Sequence, residues 1–575
     1  MKKLKRIIVL TIFICLISLS LMFGQIGTMI PNDFLPDTLA DGKLPWQKAG
    51  YDNMLVAYDT LDINKIFNVV TDMDTISGNT LDQKISTIIT NSGYSSDNIM
   101  FYFPAGEYEM HNTIEINRSN IIFKGTGSEF TILKFVKPWD MVDDDTTRHY
   151  DFLKIKGSYN NVVTNVGIED LKIVRENLSN SVQELTESYT GMFVRYNYAQ
   201  NCWVHGVEFD DAGRSHIYIT NSNNLEFKGC YFHHGIDYGE GGNGYGIQIG
   251  EYSNKCLIEN NVFGRLRHAI VLSDEAHHNV IAYNSMDEQH SEYPFIIDPF
   301  EWVISDMCIH GHNDNFDGDG PYENLFEGNC GSWVRIDKVH GSNGPKNLIF
   351  RNIADEVGIE ICGGNDDQVI VNNYFKCSNT AVTTFWDVPW ASSWLDPPQN
   401  TYFKNNKCKR NDLTGWHIYW KPCYDPSYYN DVSYYKDSIP DFITEDKWPF
   451  DPVNQINPAE ERRDNSWGIT LFSDFTNYII TDPNYIFLES YFYSWNNPTN
   501  SNDSNNELFF IYHNCSTQSP VVTYSLEKED GTLIVDNQST SKHTSNFNDR
   551  AFPLSCYYKR KMIQDYEGPI TIKNL

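Results

Sequence analysis

The sequence predicts an all-β protein built as a parallel β-helix, with an N-terminal cap and a C-terminal β-rich extension. Three observations carry that expectation. Short apolar runs ending in Asn or Gly recur through the middle of the chain, the interval between them centres on two dozen residues, and Asn returns at one place in the repeat.

The first 25 residues stand apart. Lys2, Lys3, Lys5 and Arg6 precede an apolar run from Ile7 to Phe23, the layout of a secretory signal. Residues 1–25 are therefore expected to be a signal peptide, and the protein to be secreted, periplasmic or on the cell surface. No stable membrane insertion is expected after its removal. Residues 26–60 read as an extended lead-in, and a strand and short helix over 65–95 would cap the open end of a solenoid, as terminal repeats require.

The repeat follows over 61–410. "NCWVHGVEF" begins at Asn201, "NLEFKGCYF" at Asn224, "KCLIENNVF" at Lys255 and "NVIAYNSM" at Asn279. "NLFEGN" begins at Asn324, "NLIFRN" at Asn347, "DQVIVNNYF" at Asp367 and "NTYFKNN" at Asn400. Successive starts differ by 23, 31, 24, 45, 23, 20 and 33 residues. Such a period, with loop-sized excesses, is the signature of stacked units that cannot bury their apolar side alone. The runs are too short and too rich in Gly and Asn for helices. Three short strands per coil fit the interval. Five residues after the starts lie Asn260, Asn284, Asn329, Asn352, Asn372 and Asn405, expected to form an inward hydrogen-bonded ladder.

Residues 411–464 read as a loop-rich, proline- and aromatic-bearing wrap. Residues 465–575 alternate in strand fashion and are expected to form a small β-rich extension.

"FYFPAGEYEM" at Phe101–Met110 and "IEINRSNIIFKGTGSEFTIL" at Ile114–Leu133 resemble the opening coils of the pectate-lyase-like, right-handed β-helix superfamily. That resemblance covers roughly residues 60–410. It implies a right-handed solenoid and a secreted enzyme that cuts or epimerises polysaccharide, lyases and glycoside hydrolases sharing the frame. Some members are phage or adhesin proteins.

Composition narrows the partners. With 44 basic and 76 acidic residues the formal charge is -32. A surface so negative repels nucleic acid and anionic lipid, and admits an acidic glycan only at a locally basic or cation-holding cleft. The cysteines show no CxxC pair, which argues against a disulfide scaffold or a cysteine-ligated zinc site.

Candidate chemistry gathers in the middle coils. Thirteen residues after five of the starts stand Arg214, Asp237, His268, Asp337 and Glu360, an expected column of ionisable groups. The catalytic candidates are Arg267, His268, Asp306, His310, His312, Asp337 and His340. Arg265, Arg214, Asp237, Glu360, Trp302 and Trp333 are candidates for holding sugar. "NDNFDGDG" offers Asp314, Asp317 and Asp319 to a Ca2+ ion, although Asn324 stands where an EF-hand has glutamate. No other cofactor is expected.

Three functions compete. A lyase on a uronate-containing glycan would neutralise the sugar carboxylate with Arg265, Arg267 or Arg214, or with calcium, and take the adjacent proton with His268, His310 or His340. A hydrolase would use two carboxyl groups from Asp237, Glu240, Asp306, Asp337 and Glu360. A non-catalytic glycan-binding or surface structural protein would rely on aromatic residues, among them Trp203. The lyase reading leads, and an epimerase ranks third among the enzymes.

Overall fold

The strands are short because the sequence punctuates them. Lys255 and Asn260, with φ of 51° and 54°, bracket Leu257–Glu259. Asp367 and Asn372 bracket Val369–Val371, and Asn400 and Asn405 bracket Tyr402–Lys404, all four with positive φ. Asn and Asp tolerate this left-handed conformation better than most residues and supply many of the corners, although His278 and Tyr283 bracket Val280–Ala282, and Lys346 and Arg351 bracket Leu348–Phe350. The sequence repeat is thus a repeat of corners.

The computed structural model describes residues 30–51, 63–136, 151–175, 191–235, 244–264, 266–288, 306–312, 320–361, 365–375, 382–383, 400–408, 433–436 and 438–462, and the strand segments 488–496, 504–513, 523–528, 533–539, 555–561 and 570–573. The chain divides into two units, one of residues 1–176 and 189–464, the other of residues 177–188 and 465–575.

The first unit is the right-handed parallel β-helix, with three walls. Wall one is a twelve-stranded sheet from Lys65–Asn68 to Tyr402–Lys404. Its strands pair in parallel, as in Leu257↔Val280↔Leu325↔Leu348↔Val369. Wall two includes Lys172–Arg175, Glu208–Ala212, Tyr231–Gly235, Val262–Gly264 and Ser285–Glu288. Wall three includes Val194–Asn197, Ser215–Thr220, Tyr245–Ile249, His268–Leu272 and Asp306–His312. The long strands Cys330–His340 and Ile353–Ile361 run through both walls.

The interior is a stack of like residues. Phe209, Phe232 and Phe263 lie ring on ring at 4.9 Å and 4.9 Å, close to the usual spacing of about 4.8 Å between paired strands. Between walls one and two runs the expected asparagine ladder. Asn261, Asn284, Asn329, Asn352, Asn373 and Asn406 are all buried, each linked to the next by its amide. Asn284, Asn329 and Asn352 are as expected. Asn260, Asn372 and Asn405 are not rungs of it; they are the left-handed corners one residue earlier. The slip arises because Lys255, Asp367 and Asn400 are corner residues, whereas Asn279, Asn324 and Asn347 lie one residue past theirs. Those three form a second ladder that ends on Gln368.

The helix Leu81–Thr90 closes the first coils with Ile85, Ile88 and Ile89, and packs against Gly106–Met110 and Ile114–Ile116. Buried Asp82 fixes it, accepting from the His111 backbone N–H at 3.0 Å and the Asn112 amide at 2.7 Å. Segments from both ends of the unit's sequence, 30–51 and 433–462, lie against the outer face of wall one. Ile30, Leu35, Trp46, Tyr434, Tyr435 and Phe450 join Leu257, Val280, Leu325, Leu348 and Val369 in one apolar layer.

In the second unit, two three-stranded antiparallel sheets are present. Ser504–His513 pairs with Leu488–Asn496 and Ser555–Lys561, and Thr523–Lys528 pairs with Leu533–Ser539 and Ile570–Lys573. No helix among the described residues is long and apolar enough to cross a membrane. The signal-like residues 1–25 lie outside them.

Candidate functional site

The corner where wall two turns into wall three gathers the ionisable groups. Glu208–Ala212 passes through Arg214 into Ser215–Thr220, Tyr231–Gly235 leads to Tyr245–Ile249, and Val262–Gly264 leads through Arg267 to His268–Leu272. Backbone bonds align the turns: Tyr245 N–H donates to the Arg214 carbonyl at 2.9 Å, and Arg267 N–H to the Gly244 carbonyl at 2.8 Å. Arg214 and Arg267 therefore hold the same corner two coils apart, with glycine between them.

The expected column does not form. Wall three aligns Ser215, Tyr245, His268 and Asp306, so Arg214 precedes His268's row by one residue. Glu360 pairs with Arg335, while Asp337 pairs with His310 two residues further along. Asn201 and Lys255 share one register on wall one, as do Asn324 and Asn347, so the slip arises further on, where wall two turns into wall three through corners of unequal length. His268, His310 and Asp337 nevertheless fall in three successive strands of one sheet. His312 pairs with His340, and Trp333 with Gly358. For Asp306, His310, His312, Trp333, Asp337, His340 and Glu360 only the strand positions are described. Asp237, Arg265, Trp302, Asp314, Asp317 and Asp319 lie outside the described residues, and with them the proposed calcium loop.

His268 is buried to 8% exposure, its ring edge-on to Tyr245 at 4.9 Å. Arg214 lies 5.8 Å from the Tyr218 ring, which also faces Arg195 at 5.4 Å. Arg195 is committed elsewhere, bound to Asp151 at 2.6 Å. Trp203 is fully buried and is not a sugar platform. Its indole N–H donates to Glu169 at 2.7 Å, and its ring covers Gly167, where a Cβ would come within 2.4 Å.

Beside the arginines lies a group the candidates omitted: Asp210, His233 and His234. Asp210 and His233 are register partners on adjacent wall-two strands. In a regular strand the next side chain would point to the opposite face. His234 instead has φ 54°, and the register skips it, so consecutive imidazoles turn to one side. His233 Nδ1 is 2.7 Å from His234 Nδ1 and 3.2 Å from Asp210 Oδ1; His234 Nδ1 is 3.3 Å from the same oxygen. These three side chains can hold a divalent cation. The signal was present in the repeat, since "DD" at Asp210 and "HH" at His233 both stand nine residues after their starts.

Charge partners fix the protonation there. Burial pushes the Lys172 ammonium down, but Asp210 and Glu208, each 2.8 Å away, outweigh it and keep it charged. Burial likewise pushes the Asp210 and Glu208 carboxyls up, yet their basic neighbours hold both below the ordinary carboxylate range. Burial keeps His233 below its ordinary value, against the pull of Asp210 and Glu208. Behind it, His216 touches two backbone carbonyls, those of Tyr245 at 3.2 Å and His233 at 3.1 Å, and burial takes its pKa down to about 3.

A separate polar hollow of about 360 Å³ lies among Ser95, Asp97, Arg118 and Asn161 on the early coils, and contains none of these groups.

Residues 119–295 match the family model described as a right handed beta helix region. None of the curated proteins compared matches the chain. Similar solved structures include ORF18 of Geobacillus virus E2, 16% identical over 60% of this chain and 61% of that one, TM-score 0.39. This chain thus spans about 61% of the viral protein's length. Others are the mannuronan C-5 epimerase AlgE4 A-module of Azotobacter vinelandii, 14% identical over 60% of this chain and 96% of that one, TM-score 0.38, and DFA-IIIase of Arthrobacter chlorophenolicus A6, 12% identical over 60% and 81%, TM-score 0.40. The parallel ladders of three walls, together with the match over 119–295, make this a right-handed parallel β-helix protein.

Proposed function

We propose that this protein is an enzyme that cleaves an acidic, uronate-containing polysaccharide by β-elimination. One observation carries the reading. In a chain of formal charge -32, the corner between walls two and three presents Arg214 and Arg267 two coils apart, with His268 and Tyr245 packed beside them. A local cationic row in an acidic protein suits a polyanion and little else. In this reading Arg267 neutralises the sugar carboxylate and the negative charge that builds on it, His268 takes the proton beside that carboxylate, and Arg214 holds a neighbouring uronate.

Hydrolysis needs one carboxyl group protonated at the working pH. Glu208 and Asp210, on the wall-two strand that enters this corner, are both held ionised by Lys172 and the histidines. That favours elimination over hydrolysis.

The test is a panel of purified polysaccharides, uronate-rich and neutral, incubated with the full chain. New chain ends that absorb in the ultraviolet, as unsaturated uronates do, are the expected result. New reducing ends without that absorbance would replace the lyase with a hydrolase, and no new ends on any polymer would leave a binding protein.

A further inference from the structure

We infer that Asp210, His233 and His234 form a binding site for one transition-metal ion of the zinc class, and not for calcium. The donor atoms come from the structure as a ready-made triangle with sides of 2.7, 3.2 and 3.3 Å. The circle through them has a radius of about 1.8 Å, so an ion at the usual distance of about 2.1 Å from each sits about 1 Å above their plane. The two imidazole nitrogens, 2.7 Å apart, need only part towards the roughly 3.4 Å of a tetrahedral pair for all three bonds to form. Two imidazole nitrogens and one carboxylate oxygen are donors that zinc, iron, cobalt and nickel accept, whereas calcium takes six to eight oxygens.

The surroundings carry the inference further than the triangle alone. A metal-bound histidine commonly gives its second ring N–H to a carboxylate, which fixes the tautomer and makes the ligand nitrogen more basic. His233 does this: Nδ1 faces the site and Nε2 donates to Glu208 Oε1 at 3.2 Å. The ring is also clamped flat against Tyr231, with centroids 4.0 Å apart. Asp210 is divided in the same way. Oδ1 faces the two imidazoles, and Oδ2 accepts from Lys172 Nζ at 2.8 Å. Lys172 bridges Asp210 and Glu208, so His233 and Asp210 are each aimed by a partner that is not itself a ligand.

The left-handed turn at His234 explains why two consecutive residues serve. Without it one imidazole would point to the opposite face of the strand. Three protein ligands leave further positions on the ion for water or a substrate oxygen, as catalytic rather than sealed structural sites do. Asp210 and His234 retain partial exposure, so those positions face outward.

The experiment uses the full chain without a histidine tag, stripped by chelator and titrated by calorimetry with Zn2+, Co2+ and Ca2+. One Zn2+ and one Co2+ per chain are expected, the Co2+ form showing the strong visible bands of low coordination number. A Ca2+ excess of about a hundredfold should not displace Zn2+. His234→Asn keeps a residue suited to the left-handed turn and should abolish stoichiometric binding with an unchanged circular dichroism spectrum. If that chain does not fold, Asp210→Asn takes its place. Glu208→Gln should weaken binding by about 10- to 100-fold while leaving stoichiometry intact. Absence of stoichiometric Zn2+ or Co2+ binding, displacement by Ca2+, or undiminished binding in the ligand variant would each overturn the inference. None of these readouts depends on the protein cleaving any polymer.

Discussion

Asn329 offers the sharpest test of what holds the coils in register. Its amide N–H group donates to the Ile281 carbonyl at 2.8 Å and to Asn352 Oδ1 at 2.8 Å, while its own Oδ1 accepts from the Asn284 backbone N–H at 3.0 Å and the Asn284 amide at 2.9 Å. In Asn329→Ala the two side-chain partners retain a bond: Asn284 Nδ2 still reaches the Ile258 carbonyl, and Asn352 Oδ1 still accepts from the Asn329 backbone N–H. The Asn284 backbone N–H and the Ile281 carbonyl lose the contacts they make here. The Ile281 carbonyl stays in the parallel ladder with Leu325–Glu327, so the one buried orphan, the Asn284 N–H, sets the cost at about 1–3 kcal/mol.

Asn329→Asp separates hydrogen bonding from space filling. The shape is nearly unchanged, and Oδ1 can still accept from Asn284. Oδ2, however, would face the Ile281 carbonyl and Asn352 Oδ1, placing acceptor against acceptor in a buried site. Aspartate should therefore destabilise more than alanine. Urea denaturation followed by tryptophan fluorescence and circular dichroism measures the loss, and hydrogen exchange over Val280–Met286 reports the Asn284 amide directly. Should Asn329→Asp prove milder than Asn329→Ala, or should alanine cost less than about 1 kcal/mol with exchange unchanged, the ladder would be filler and not a set of bonds.

Further outcomes follow from the same coordinates. His216, neutral in the fold with a pKa of about 3 against about 6.5 unfolded, binds its proton more readily in the unfolded chain. Its contribution is therefore complete above about pH 6.5 and is lost as pH falls towards 3, by up to about 1.4 kcal/mol per pH unit. His216→Gln should flatten the acid limb of a stability-against-pH curve relative to the native chain. Cys202, Cys230, Cys256 and Cys330 are buried, and burial pushes the first three thiols up to about 12. Peptide mass spectrometry should find all four unalkylated in the native protein and fully alkylated after denaturation, and rapid native alkylation would contradict the packing. Arg267→Ala should lower turnover of an acidic glycan by at least about a hundredfold with its melting temperature retained, a loss of about 2.7 kcal/mol in transition-state binding. Undiminished turnover would remove the corner from the mechanism.

Much of the fold was legible because corners are chemical events. A left-handed residue between three-residue strands favours Asn and Asp without requiring them, so the coil period shows in the sequence. Phase was harder, because an asparagine is equally at home as corner or ladder rung, and Asn260 and Asn261 differ in role while sharing identity. The expected column failed for another reason, the unequal lengths of the corners between walls two and three, which no period records. Asp210 and His233 share an offset in the repeat, but only the kink at His234 makes a cluster of them, and no periodicity reveals a φ angle. The cover over wall one had a signal of another kind. "VIA", "LIF" and "VIV" are apolar on both faces, which a strand with one face in water would not be. Which segments supply the cover was hidden, since 30–51 and 433–462 carry no period.

That cover also decides where chemistry can sit. Wall one contains its own buried acids, Glu259 and Glu327, and a search for carboxylates alone would take them for catalysts. Both are tethers. Glu259 accepts from the Tyr435 hydroxyl at 2.8 Å and pairs with Lys436 at 3.3 Å, while Glu327 accepts from the Tyr434 N–H at 3.0 Å. Each carboxylate pins the strap that seals it, and neither is open to a polymer. With the outer face of wall one closed over these coils by Trp46, Tyr434, Tyr435 and Phe450, a long substrate must lie along another wall. The corner between walls two and three combines cations, imidazoles and partial exposure, so a polymer bound there would run across the coils and meet Arg214 and Arg267 in turn.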